Sequence, residues 1–522
     1  MAFTFDGYIL DIPLRELRRG TVRIKVEPQV FDLLAYLITR RDRVVGKDEL
    51  IEVVWNGRIV SDSALTTRIN AVRRAIGDNG TEQRRIRTIR RRGFRFIGNT
   101  RELRTRPDAL QSEAPSAAAS SLLAPQFVDR ASVGVLQFTS ISRDPETQCF
   151  AEGLAEDIVT ALSRVRWLCV LAPISQPVYR GDEFDWKRTV NDLSVRYVLQ
   201  GTVRCSGQNV RVTAHLIDAI DGTRLWTDRF DGTLGEGLEL QDKIALIVAG
   251  SIEPVLQLAE ARRFSSSPRR DATPYELHLQ AHPIFSSGRD NVLRSLRLLE
   301  QAIELDPNYG PALADAANCR QILDVNGWAA DRDLNGRKAI ALAQRALGLL
   351  SDPEAVAISA FVLSYFGQDI DAAFTLLDNA LLLIPSFAKG WYMNGMACLY
   401  AGRTEQAIEC FETSVRLNPR DHTAGRSIAG IGIAHFFNGN FDHAIPMLRP
   451  VMHQFPHWVT PYCALASCHA HLGFLDESEA VARRARTTDT SLIPNSNQFR
   501  DAEHRALLSP GLKMIGRFGS AS

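Results

Sequence analysis

The 522-residue chain lacks most of the signatures by which a sequence declares catalysis, secretion or membrane insertion. Its eight cysteines are scattered and include no Cys-x-x-Cys pair, so they offer neither a zinc cluster nor a disulfide framework. Runs of consecutive apolar residues, such as 244–250 and 381–385, fall far short of the ~18 that a bilayer crossing needs. The first ten residues carry Asp6 and lack the basic-then-apolar order of a signal peptide. The expectation is a cytoplasmic protein with no membrane segment. No phosphate-cradling glycine loop is present. Gly430-Ile431-Gly432 lies within a helical pattern and lacks the rest of the dinucleotide fingerprint. Glu152, Glu156 and Asp157 gather where a helix is expected to start, a place the helix dipole favours for acids. His215 lies in an alternating strand with no partner at a catalytic or metal-ligand spacing. No catalytic constellation follows, and neither an enzyme, a metal nor a cofactor is expected.

Net charge is also nearly absent, at +1. Its distribution is uneven. Residues 1–100 hold 18 Arg and 2 Lys against 12 acids, a balance of +8 that leaves −7 for the remainder. Residues 60–95 alone hold ten Arg, no Lys, and only Asp62, Asp78 and Glu82 as acids. Segregated basic charge is a signature of a nucleic-acid partner, although a solvated basic surface would look the same from charge alone.

The chain divides by pattern. Residues 1–100 mix short alternating strands with amphipathic helices. Residues 101–128 are rich in Ala, Ser and Pro and read as a flexible linker. Residues 129–258 alternate strand and helix patterns, and a second break covers 264–273. Residues 270–490 are helical and repetitive, and 491–522 form a C-terminal tail. The expected fold class is multidomain: an α+β winged helix-turn-helix, then an α/β mixed-sheet domain, then an all-α tetratricopeptide solenoid.

In the first segment, strands are predicted over 3–10 and 21–26, and helices over 28–39, 47–54 and 61–76. The first helix places Val30, Phe31, Leu33, Leu34, Leu37 and Ile38 on one wide face. In the third helix Leu65, Ile69, Val72 and Ile76 recur at 4-3-4 spacing and should face inward. The opposite face would then present Ser63, Thr66, Thr67, Arg68, Asn70, Arg73 and Arg74. Such a face suits a major groove, because Arg forks onto guanine, Asn pairs with adenine, and hydroxyls and further Arg take phosphates. Residues 85–96 read as two strands closing on a basic tip that carries Gly93. Arg87, Thr88, Arg90, Arg91 and Arg92 make this hairpin a wing able to lie along a backbone or enter a minor groove.

The strings Glu27-Pro28-Gln29-Val30-Phe31-Asp32-Leu33-Leu34, Val60-Ser61-Asp62-Ser63-Ala64-Leu65, Ile69-Asn70-Ala71-Val72-Arg73-Arg74-Ala75-Ile76-Gly77-Asp78 and Arg92-Gly93-Phe94-Arg95-Phe96 resemble, in order, the OmpR/PhoB-type winged-helix family. The resemblance implies that the third helix is the recognition helix on double-stranded DNA. It further implies that Ser63, Thr67, Arg68, Asn70 and Arg73, with Thr88 and Arg90 on the wing, sit where the family meets DNA. The loop from Trp55 to Val60 would be the one that can touch RNA polymerase. Ala71 stands where members often carry a second basic residue, so base preference does not transfer. With the domain opening at Met1, control by an attached phosphoacceptor receiver is not expected.

In the middle segment the predicted order is β-α-β-α-β-β-β-α, an α/β sandwich on a mixed sheet. Gly153-Leu154-Ala155-Glu156-Asp157, Tyr197-Val198-Leu199-Gln200-Gly201-Thr202-Val203 and Leu225-Trp226 resemble the TolB-N-terminal-like domain, which implies a binding or structural module. Farther on, Pro307, Pro353, Pro385, Pro419 and Pro456 punctuate the chain at spacings of 46, 32, 34 and 37. A period near ~34 with proline at the repeat end marks tetratricopeptide repeats. Trp391, Gly395, Ala407 and Phe411 hold the packing positions of the clearest unit, and the long spacing should contain an extra loop near 326–335. The resemblance implies a protein- or peptide-binding array. Two readings remain at this stage: a sequence-specific DNA-binding transcription regulator whose repeats recruit or sense a partner, or a tetratricopeptide scaffold or cyclase-associated protein that does not bind DNA.

Overall fold

The computed structural model divides into two compact units, residues 1–119 and 120–522. It describes residues 2–50, 62–78, 83–89, 92–98, 100–103, 131–174, 195–266, 272–282, 288–486 and 496–517, less a few positions inside these ranges.

In the first unit, strands β1 (Ala2–Phe5), β2 (Tyr8–Asp11), β3 (Glu16–Arg19) and β4 (Val22–Ile24) form an antiparallel meander. Alternation sends Phe3, Phe5, Tyr8, Leu10 and Leu17 into the core. Helix α1 spans Pro28–Thr39 and buries the six apolar side chains its periodicity selects. Helix α2, Asp62–Ala75, places Ile69 and Val72 in the same core. Strands β5 (Ile86–Ile89) and β6 (Gly93–Phe96) then form the antiparallel hairpin. Strand β7, Thr100–Leu103, returns to pair with β1. The stretch expected to begin the linker at 101 is therefore sheet as far as Leu103. β3 was also not foreseen, since Glu-Leu-Arg-Arg has a single apolar residue, Leu17, which is buried. Of the predicted helix over 47–54, only its start falls among the described residues, with Leu50 buried.

The second unit opens with a mixed sheet of order β10-β8-β11-β12-β13, with a short strand β9 (Thr139–Ser140) beside β11. Here β8 (Ser132–Leu136) pairs in parallel with β10 (Cys169–Ile174) and with β11 (Tyr197–Ser206). The remaining long strands, β12 (Asn209–Asp218) and β13 (Arg224–Thr233), follow as an antiparallel meander. Helices α3 (Pro145–Leu162) and α4 (Gly237–Ser266) cover one face. Leu154, Ile158, Ile244, Val248 and Ile252 pack there against Val133, Leu199 and Val212. Helix α3 starts earlier than predicted, so Glu146 is its first-turn acid and Glu152, Glu156 and Asp157 lie along its middle. The predicted helix over 185–193 lies outside the described residues.

At 30 residues α4 is the long element of this unit, and by length and composition it could cross a membrane. Two-thirds of its apolar window is buried in the protein. Counting uninterrupted apolar runs misses this, because Ser251, Glu253 and Gln257 break the run while the helix stays apolar on average.

Helix pairs follow: α5 (Pro274–Ala281) with α6 (Arg289–Leu305), α7 (Gly310–Val325) with α8 (Arg332–Leu349), α9 (Pro353–Tyr365) with α10 (Ile370–Leu383), α11 (Ala388–Ala401) with α12 (Thr404–Leu417). Next come α13 (His422–Phe437), α14 (Phe441–Leu448), the short α15 (Val451–Gln454), α16 (Val459–His471) and α17 (Leu475–Arg486). Pro274 and Pro353 each open a helix. Thr273 makes a capping box with Glu276 around Pro274, and Asp352 caps α9 ahead of Pro353. The extra length of the long repeat is shared between a loop and helices of 16 and 18 residues, against 14 each in the α11–α12 pair. Within that pair Phe411 is fully buried. A Cβ on Gly395 would lie 2.7 Å from its ring, and one on Gly430 of α13 2.4 Å. The two glycines let three helix backbones close on one aromatic ring.

The residues expected to be a tail carry helix α18, Ala502–Arg517, packed on α16 and α17. Phe499 is buried against Tyr400 and Phe437, and the N–H of Gly511 donates to Ser467 Oγ at 2.9 Å. This last helix covers the end of the stack, which an open repeat array requires.

Helix α4 belongs to both halves of the unit. Pro254 has no N–H to give the carbonyl of Gly250, one turn earlier. That carbonyl instead accepts from Asn418 Nδ2 at 3.2 Å, and Ser251 Oγ donates to the Leu417 carbonyl at 3.4 Å. Toward the end of α4, the fully buried Glu260 accepts from Tyr197 Oη at 2.7 Å and pairs with Arg196 and Arg263. Burial and this carboxylate push the Tyr197 phenol well above its ordinary range.

Candidate nucleic-acid interface

On α2, Asn70 and Arg74 are exposed and Arg68 is half-buried. On the wing, Arg87, Thr88 and Arg92 are exposed. Ser63, Thr66 and Thr67 lie on α2, but their side chains, together with Arg90, Arg91 and the loop over 55–60, fall outside the described residues.

Arg73 departs from the expected exposed face. It is 5% exposed, and its guanidinium donates to the Ile86 carbonyl at 3.0 Å and to Thr88 Oγ1 at 2.8 Å. Its other terminal nitrogen reaches Asn70 Oδ1 at 3.5 Å. Burial lowers its pKa, and the nearby Asp78 opposes that shift. The signal was available in the sequence. Arg73 is four residues after Ile69 and three before Ile76, so it lies on the inward stripe, and the 4-3-4 reading drew that stripe one position too narrow. The consequence is useful: Arg73 fastens α2 to β5, so that Asn70 on the helix and Thr88 on the wing belong to one hydrogen-bonded chain.

Two further residues complete the support. Asp78, 6% exposed, accepts from the N–H groups of Arg84, Arg85 and Ile86, each at 2.9 Å, and so fixes the entry to β5. Arg85 donates to the carbonyls of Ile76 and Gly77 at 2.7 and 2.9 Å, closing the C-terminal end of α2 where the dipole is negative. At the wing, Gly93 has φ +131° and a Cβ there would lie 1.9 Å from the Val45 carbonyl. Only glycine allows the close pairing of Val45 with Phe94 that ties the wing to the body.

Arg73→Ala should therefore destabilise the first unit by about 1–3 kcal/mol, since it strips hydrogen bonds from a buried network. Arg74→Ala, on the exposed face, should stay within ~0.5 kcal/mol. Urea titration of the two variants separates the roles, and equal stability would show that Arg73 is no clamp.

A small sheet-and-helix body that presents a helix beside a two-stranded hairpin is a winged helix-turn-helix, here of the OmpR/PhoB type, and the chain joins it to a mixed-sheet domain and a tetratricopeptide solenoid. Residues 20–96 match the family described as "Transcriptional regulatory protein, C terminal", a DNA-binding domain of transcription regulators, and residues 388–421 match "Tetratricopeptide repeat". The chain is similar to putative adenylate cyclase 3 of Rhizobium meliloti, 32% identical over 43% of this chain and 38% of that protein. It is similar to the transcriptional regulator HilA of Salmonella typhi, 24% identical over 85% of this chain and 75% of that protein. A crystal structure of the Klebsiella pneumoniae RstA DNA-binding domain in complex with the RstA box covers 18% of this chain and 95% of its own, at 26% identity and a TM-score of 0.17.

Proposed function

We propose that the protein is a sequence-specific, cytoplasmic transcription regulator in which α2 enters the major groove of double-stranded DNA and the β5–β6 wing follows the adjacent backbone. The observation that carries this reading is the Asn70–Arg73–Thr88 chain, which holds the reading face of the helix and the wing in one rigid arrangement. In this reading Arg68 and Asn70 contact base edges. Ser63, Thr66, Thr67 and Arg74 on the helix, with Arg87, Arg90, Arg91 and Arg92 on the wing, contact phosphates and sugars. Thr88 and Arg73 position the two elements. The loop over 55–60 would meet RNA polymerase, and the repeats a protein or peptide. The protein would act without catalysis, as its match to a transcription regulator over 85% of the chain suggests, beside a match to 38% of a cyclase.

Genome-wide mapping of bound DNA supplies the fragments for the test. Arg68→Ala or Asn70→Ala should reduce discrimination between a mapped fragment and random duplex by about 1–3 kcal/mol. Arg92→Ala should weaken both alike. Equal losses on the two DNAs for all three variants would contradict the division of roles. Failure of the protein to occupy any genomic site would favour the scaffold reading.

A further inference from the structure

The successive first helices of the pairs, α7, α9, α11, α13 and α16, lie side by side, and a cavity of about 650 Å³ runs along their inner face. Such a layer ordinarily forms an open groove that takes a peptide along its length. Here Gly250, Glu253, Pro254 and Gln257 of α4 form one wall, and Gln498 and Phe499 contribute as well. The space left is that of a small-molecule pocket, which spans ~300–1,000 Å³.

Its charged lining is almost wholly committed. Asp315, 2% exposed, is bonded by His278 Nε2 at 2.9 Å and faces Lys389 Nζ at 3.7 Å, and the Lys389 ammonium with the His278 hydrogen bond holds its carboxyl far below the usual range despite burial. Burial depresses His282 to about 3 and so keeps it neutral. Burial raises the carboxyls of Glu253 of α4 and Glu354 of α9, which are hydrogen-bonded to each other. Asp352 is engaged as the cap of α9.

Arg426, on α13, is different. Its guanidinium lies 5.2 Å from the ring centroid of Phe455 and 5.8 Å from that of Trp458, and it bonds to Tyr392. Among the described residues it has no carboxylate partner, and its buried Nε has no acceptor. Elsewhere in the lining, among the described residues, Trp328 Nε1 is a buried donor without an acceptor and Asn326 Oδ1 a buried acceptor without a donor. Trp328 and Asn326 are 6% and 7% exposed. Unmade hydrogen bonds at buried sites are costly, and a bound group that completes them gains accordingly. Phe361, Phe387, Met393, Met396 and Tyr400 make the rest of the wall apolar.

We infer that the cavity between α4 and the inner face of the repeats binds a small organic carboxylate with an apolar body, its anionic end on Arg426 and its remaining polar atoms on Trp328 and Asn326. A planar guanidinium held on aromatic rings is the side chain best matched to a carboxylate. The inference goes beyond the DNA-binding reading and does not depend on it, because the cavity lies wholly within the second unit.

The experiment is calorimetric titration of the full chain with 4-phenylbutyrate, indole-3-acetate and decanoate, each beside its neutral primary amide. At least one acid should bind with a stoichiometry of one and at least tenfold more tightly than its amide. Arg426→Gln should remove that preference, and Arg426→Lys should restore part of it. Trp328→Phe, which keeps a ring and loses the N–H, should weaken the same acid severalfold and decides the matter if the Arg426 variants do not fold. The absence of binding by all three acids at millimolar concentration, equal affinity for acid and amide, or an acid preference that survives Arg426→Gln would each overturn the assignment.

Discussion

Affinity of the full chain for duplex DNA should fall by about a thousandfold or more between 50 and 200 mM salt, the loss expected for roughly six or more phosphate contacts. The expectation rests on the +8 balance of residues 1–100 and the ten arginines of residues 60–95. Not all of those arginines can contribute. Arg73 is buried against β5, and Arg85 is spent on the end of α2. Arg74, Arg87 and Arg92 remain exposed, so their triple replacement by alanine should flatten the slope by about three contacts. Replacing Arg85 should leave the slope unchanged while lowering stability. Binding measured by fluorescence anisotropy at four salt concentrations gives the slope. A response independent of salt would rule out a backbone-gripping interface.

Truncating Phe411 should have the largest effect on stability of any single change in the solenoid. The ring is fully buried between α11, α12 and α13, and Phe→Ala at such a site costs about 3–5 kcal/mol through lost transfer energy and the cavity left behind. Gly395→Leu moves in the opposite direction, overfilling the same contact, and should cost about 1–3 kcal/mol. Each pair contacts mainly its neighbours, so the damage should reach α9–α10 and α13–α14 before more distant pairs. Hydrogen exchange of the full chain reads this directly: protection should fall first within residues 353–448. Uniform loss across the second unit would mean that it unfolds as one block and not as an array. Carboxylate binding offers a second readout, since Tyr392, which bonds to Arg426, lies 6.0 Å from the Phe411 ring.

Much of this architecture is legible in the sequence because it is set by local periodicity. Helix α1 runs over the residues its apolar stripe marks, from Pro28 to Thr39. The prolines at 307, 385, 419 and 456 fall between helix pairs, where a missing N–H and a fixed φ do least harm. The β-meander of the middle domain follows from alternation punctuated by the turns at 206–209 and 221–222. The basic character of the winged helix is a matter of counting charges. In each case the physical cause acts over one to four residues, the range within which a side chain's direction is fixed by backbone geometry.

The tertiary structure decided what depends on residues far apart in the chain. Helical spacing turns Arg73 inward, but what it fastens is decided by Ile86 and Thr88, which come to meet it from β5. Leu17 made a strand of a polar segment because β2 and β4 lay on either side of it. The residues after 490 became the covering end of the stack because Phe499 and Gly511 found Tyr400 and Ser467. Helix α4 is the largest such case. Its apolar stripe predicts burial without saying against what. Only when Pro254 freed the Gly250 carbonyl for Asn418, 168 positions along the chain, did the helix become the wall that makes a cavity of a groove. A sequence fixes which faces seek burial through nearest-neighbour geometry, whereas the partner of each face is settled by the free energy of the whole assembled core.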